Sequence, residues 1–140
     1  MSLSKSMKIY VAGPMTGIPQ FNFPAFDAAA ADLRQMGYFV VSPAEMDNEE
    51  TRAMAMASPD GAQGSGSSKG ETWGDFLARD VKLVADEVDA IAVLPGWDKS
   101  RGARLETFVA FLCGKPVVYF GSLRSVSKKS LAKAWLGALL

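Results

Sequence analysis

Two carboxylates in this sequence occupy positions where a charge is either costly or well placed for chemistry. Residues 72–88 read as a helix, and at about 100° per residue Trp73, Phe76, Leu77, Val81, Val84 and Val88 share one apolar arc. Asp75, Arg79, Lys82, Asp86 and Asp89 point the other way, but Asp80 falls inside the arc. A carboxylate there must hydrogen-bond a backbone turn, pair with an arginine such as Arg101, or open onto a polar cavity, and desolvation raises its pKa. Glu106 is the second candidate, in the first turns of a helix that follows a strand and the Pro95-Gly96 turn. The helix dipole alone favours a glutamate there. The loop before it, however, lies at the carboxyl end of a strand, where amides at a helix start also hold anions. The chain contains no histidine, which removes Ser-His-Asp, Cys-His and the commonest zinc constellations. Catalysis is left to carboxylates, lysine, tyrosine and hydroxyls.

Weaker candidates cluster around these two. The loop Gly13, Pro14, Met15, Thr16, Gly17 follows the first strand and can offer backbone N–H groups to a phosphate. It lacks the GxGxxG and GxxxxGK[ST] patterns, so it is a poor dinucleotide or ATP signal. Tyr10, near that loop, is either a site-lining phenol or a half-buried strand tyrosine. Ser100 and Gly102 are natural phosphate or hydroxyl contacts, although Gly102 also eases the turn.

The elements that must position these residues alternate. Lys8–Ala12 reads as a strand running into the Gly13–Gly17 turn. Phe23–Met36 has helical spacing, with Asn22 as a possible N-cap, Pro24 in the first turn and Gly37 past the end. A strand at Tyr38–Ser42 follows. Residues 45–71 turn polar, methionine-dotted and then Gly/Ser-rich, and are expected as a mobile insertion, either a lid or a disordered segment. The helix capped by Thr72 comes next, then a strand at Asp89–Leu94, a loop at Trp97–Gly102 and a helix at Ala103–Cys113. A strand at Pro116–Phe120 and an amphipathic helix at Val126–Leu139 complete the series. This order predicts an α/β fold, one doubly wound Rossmann-like parallel sheet of about four to five strands with helices on both faces. Ligands of such sheets sit outside the carboxyl ends of the strands, which singles out loops 13–22, 43–72 and 95–103.

Composition bounds the rest. At 140 residues the chain fits one domain, taken as 8–140, with 1–7 set aside as a tail or an expression scar ahead of a start at Met7. No apolar run is long enough to span a bilayer, so no membrane is expected. Fifteen basic and fifteen acidic residues cancel, which leaves no field for polymeric nucleic acid. The single cysteine, Cys113, fits a reduced, cytoplasmic compartment and reads as a buried thiol.

The segments Tyr10-Val-Ala-Gly-Pro14, Arg79-Asp-Val-Lys-Leu83 running into Asp89-Ala-Ile-Ala-Val93, and Ser100-Arg-Gly-Ala-Arg-Leu-Glu106 before Gly114-Lys-Pro116 occur in one order. In combination they resemble the nucleoside 2-deoxyribosyltransferase superfamily, including its relatives that hydrolyse 2′-deoxynucleoside 5′-monophosphates. The resemblance covers about residues 8–120. It implies a flavodoxin-like fold and a homodimer whose sites can borrow residues from the partner. It implies further that Glu106 attacks C1′ of the sugar, that Asp80 assists at the sugar or the leaving base, that Tyr10 lines the pocket, and that Ser100 meets a 5′-phosphate. The chain departs from the family at Arg104, where a small residue is common, in the longer 45–71 insertion, and at Pro14 and Met15.

Cleavage of an N-glycosidic bond passes through an oxocarbenium-like centre, which a carboxylate near C1′ stabilises or bonds. A partly protonated carboxyl in apolar surroundings suits the departing base. No metal or cofactor is needed, and the expected partner is a small nucleoside or nucleotide. Two alternatives stay open: a non-catalytic nucleotide-binding module of the same fold, and a phosphoribohydrolase, whose Gly-rich signature the single Gly102 does not match. A homodimer is also expected from Leu131, Trp135, Leu136, Leu139 and Leu140, which need cover.

Overall fold

Lys8–Ala12 forms β1 because its apolar, β-branched residues alternate between two covered faces. Ile9 and Val11 point to one face and Tyr10 and Ala12 to the other, so the alternation decides which side Tyr10 serves. The computed structural model describes residues 3–62 and 70–137. In these, β1 is followed by α1 (Phe23–Gln35), β2 (Phe39–Val41), α2 (Glu49–Ala57), α3 (Trp73–Asp86), β3 (Ala90–Val93), α4 (Arg101–Leu112), β4 (Val117–Tyr119) and α5 (Lys128–Gly137).

The four strands form one all-parallel sheet in the order β2-β1-β3-β4. This is the α/β, doubly wound arrangement expected, consistent with a flavodoxin-like fold. One face is covered by α1, whose Phe26, Ala29 and Leu33 meet Ile9, Val11 and Ala92. Residues of α3, α4 and α5, among them Val84, Ala110 and Leu131, cover the other face against Tyr10, Ile91 and Val93. Each fully buried aliphatic of this kind stabilises by about 1.5–3 kcal/mol. The chain leaves β1 towards β2 on one side and later returns to β3 on the other. The carboxyl ends of β1 and β3 therefore flank the switch point where such sheets hold ligands.

Several expectations need correction. The 45–71 segment does not stay unstructured in its first half: Glu49–Ala57 is a helix capped by the Asn48 side chain, which accepts from the Thr51 N–H. Thr51 and Ala55 are buried, Ala55 within the core on the α1 side, while Glu49, Glu50, Ala53 and Met54 face outward. Residues 63–69 of that segment lie outside the described residues, as do Leu139 and Leu140. Asn22 does not cap α1; it sits in a left-handed conformation and donates through Nδ2 to the Pro14 carbonyl at 3.0 Å. Cys113 is not a buried thiol but exposed, at the C-terminal cap just past the end of α4. Leu131 needs no cover, being part of the core, whereas Leu105, Phe108, Phe111 and Leu112 of α4 and Leu136 of α5 are exposed. Trp135 packs edge-on to Phe108 and Phe111. No helix among the described residues is long and apolar enough to cross a membrane.

Candidate active site

α4 begins at Arg101, where Ser100 caps it by accepting from the Ala103 N–H at 3.2 Å. This cap fixes the helix phase and brings Glu106, a turn and a half later, back over the sheet against Tyr10. The Tyr10 hydroxyl donates to Glu106 Oε2 at 2.7 Å, with both residues buried. α3 is started by a reciprocal cap, Thr72 accepting from the Asp75 N–H while Asp75 accepts from the Thr72 N–H. Asp80 then falls on the face turned to α4, only 8% exposed. It pairs with its neighbour Arg79, whose Nε donates to Asp80 Oδ1 at 2.9 Å. The Arg79 Nη1 reaches Asp47 Oδ1 at 2.6 Å, which ties the segment after β2 to the same charge system.

Asp47, Arg79, Asp80 and Glu106 line one cavity of about 310 Å³ at the carboxyl ends of β1 and β3. Gly13, Pro14, Met15, Thr16, Asp80, Ser100, Gly102 and Glu106, all singled out in the sequence, contribute to its walls. A methyl on Gly13 would lie 2.9 Å from Leu94 Cβ, so this glycine serves the close approach of loop to strand. Two candidates are elsewhere. Tyr10 does not line the cavity; fully buried, it supports Glu106 from behind. Gly17 also faces away, and its N–H is used by the Gly61 carbonyl at 2.8 Å.

Reasoning from the sequence missed Asp47 and misplaced Arg79, which it put on the solvated face. The adjacency of Arg79 to Asp80 was the available signal; nothing near Asp47 announced it. It also took Trp73, Phe76 and Leu77 as part of a core-facing arc, whereas they line the cavity. Arg101, offered as a partner for Asp80, instead lies over the Trp73 ring, 4.6 Å from its centroid.

The wall contributed by the loop after β1 is strained. Gln20, Phe21 and Asn22 all have left-handed backbones, with φ of 58°, 51° and 60°, a conformation that costs non-glycine residues about 1–2 kcal/mol each. The end of α2 and the residue after it hold the first of them. The Gln20 N–H donates to the Ser58 carbonyl at 2.9 Å and Gln20 Nε2 to the Met56 carbonyl at 3.0 Å.

Burial pushes the Glu106 carboxyl well above its usual range and the Asp80 charge pushes it further, with the Tyr10 hydroxyl and Arg79 pulling it back. Burial also raises Asp80, against the charge and hydrogen bond of Arg79. Burial, then the charges of Glu106 and Asp80, raises the Tyr10 phenol far enough that it stays a donor. Arg79 favours the charge on Asp80, while Glu106, fully buried and facing that charge, is the one of the two pushed more strongly towards its protonated form. Among the described residues no three Cys, Asp or Glu side chains gather as metal ligands.

The sequence pattern of one family, described as a domain of unknown function (DUF4406), matches residues 7–119. The chain belongs to the DUF4406 family. No curated protein and no solved structure matches it. The matched span of this DUF4406 chain runs from β1 through β4, so both carboxylates and the residues that hold them lie within it.

Proposed function

We propose that this protein cleaves or transfers the N-glycosidic bond of a (deoxy)nucleoside or nucleoside 5′-monophosphate, as its resemblance to the nucleoside 2-deoxyribosyltransferase superfamily implies. The observation that carries this reading is the pair of buried carboxylates, Glu106 on Tyr10 and Asp80 on Arg79, lining one cavity. Together they offer one proton and one negative charge, which is what the reaction consumes. Trp73, Phe76 and Phe21 supply flat apolar surface for a base. Lys99, Ser100 and Arg101, where α4 begins, supply donors for sugar or phosphate oxygens.

In the first step the proton of the pair passes by way of Asp80 to the base nitrogen as the C1′–N bond breaks, the bonding electrons leaving with the base. Glu106, now ionised, bonds C1′. Water or a second base then attacks C1′, Glu106 leaves as a carboxylate, and the proton lost by the acceptor returns to the pair. Incubation with a panel of nucleosides and 5′-monophosphates, followed by chromatography for free base, tests the activity. Binding without any release of base would replace it with a nucleotide-binding module.

The same reading includes a homodimer. The exposed Leu105, Phe108, Phe111 and Leu112 on α4 and Leu136 on α5 support it. A light-scattering mass equal to one chain at micromolar concentration would count against it.

A further inference from the structure

Arg104 and Glu106 are two positions apart on α4, about 200° around the helix, so they cannot face the same space. Glu106 turns to the cavity described above, and Arg104 turns to a second one, of about 570 Å³, at the carboxyl ends of β3 and β4. Lys99 and Lys133 join Arg104 in its wall, together with Ser130, Tyr119 and one acidic residue, Asp98. None of the three cations forms an ion pair among the described residues. Three cations against the single carboxylate of Asp98 leave the concavity with a net positive charge that favours an anion.

We propose that this second cavity is a binding site for a phosphate group. The guanidinium of Arg104 offers two parallel donors suited to phosphate oxygens, Lys99 and Lys133 add compact charges, and the Ser130 and Tyr119 hydroxyls can donate to the remaining oxygens. Lys99 and Gly96 line both cavities, so the turn between them is the shared wall through which an occupant of one would be felt in the other. Phosphate binding here does not depend on the glycosidic reading of the first cavity, and either can fail alone.

Titration calorimetry of the whole chain with inorganic phosphate and with pyrophosphate tests the site without any turnover. Saturable binding is expected, tighter for pyrophosphate. Arg104→Gln and Lys133→Gln should each weaken it at least about tenfold, while Lys82→Gln, an exposed cation of α3 that lines neither cavity, changes it less than about twofold. Lys133 is exposed, so its variant keeps the test valid if Arg104→Gln folds poorly. A nucleoside 5′-monophosphate serves as a third arm. Arg104-dependent binding of the ester alone assigns the site to a phosphorylated metabolite, and equal dependence for inorganic phosphate assigns it to the free anion; both support the site. Absence of saturable binding with all three probes overturns it, as does binding lost in Arg101→Gln and kept in Arg104→Gln.

Discussion

The Tyr10 hydroxyl donates to Glu106 Oε2 at 2.7 Å from a position without solvent exposure, on a strand next to the one that leads into Glu106's helix. The bond favours the ionised carboxylate. Removing it has two separable effects. Tyr10→Phe leaves a buried carboxyl oxygen short of a partner, at a cost of about 1–3 kcal/mol in stability. It also raises the Glu106 pKa further, so the alkaline limb of base release, where the pair loses its one proton, moves to higher pH while KM stays close to that of the wild type. A pH profile with an unmoved alkaline limb would show that Tyr10 only fills space.

The raised carboxyl of Glu106 has a consequence for stability with a definite sign. The folded state keeps a proton that the unfolded chain releases near the ordinary glutamate value of 4.5. Its contribution is therefore fully present below that value and is lost as pH rises through the folded pKa. Glu45, lowered by its hydrogen bond to Arg34 despite some burial, acts with the opposite sign, but it is common to wild type and variant. Glu106→Gln should therefore gain stability relative to the wild type as pH rises above the ordinary carboxylate range. Urea midpoints measured for both proteins across that range check it, and parallel curves would contradict the proton on Glu106.

A steric prediction concerns the segment that closes the cavity wall. Gly61 has φ of +63°, and a methyl there would stand 2.1 Å from the Ile18 carbonyl oxygen. Gly61→Ala should push residues 58–61 away from the loop after β1, breaking the Gly17–Gly61 and Gln20–Ser58 hydrogen bonds. The Gln20–Asn22 turn then loses its support, and the strain it stores, about 1 kcal/mol or more per residue, favours its release. Faster proteolysis within 55–62 and weaker nucleotide binding, with β1–β4 intact by circular dichroism, are the expected results. Unchanged proteolysis would mean the wall does not depend on this contact.

Much of the architecture was legible because it follows from short-range periodicity. The short, β-rich apolar run of Lys8–Ala12 before a turn and the period of 3.6 in residues 73–88 identify strand and helix, and the latter makes Asp80 an anomaly without any tertiary information. What was hidden depends on contacts far apart in sequence. Arg79 looks solvated on a helical wheel until Asp47, 32 residues earlier, is folded against it. Asn22 has the residue type of an N-cap, but the Pro14 carbonyl competes for its side chain and wins. Glu49–Ala57 buries only Thr51 and Ala55, too narrow a stripe to register as amphipathic.

The roles of the two carboxylates are separable by substitution. Glu106→Gln keeps size and polarity and still accepts from Tyr10, but it can neither bond C1′ nor offset its positive charge. It should abolish base release and leave nucleotide binding within about tenfold. Asp80→Asn leaves Arg79 paired with Asp47 but can no longer relay a proton, so the loss should be greatest for bases that most need protonation to depart. Both residues serve one transition state and share one proton, so the double variant should be scarcely slower than Glu106→Gln alone. Rates of base release from paired good and poor leaving groups, measured for the wild type and the three variants, decide the matter. Equal rates for wild type and Glu106→Gln would remove the nucleophile, and fully additive losses would mean the two carboxylates act in different steps.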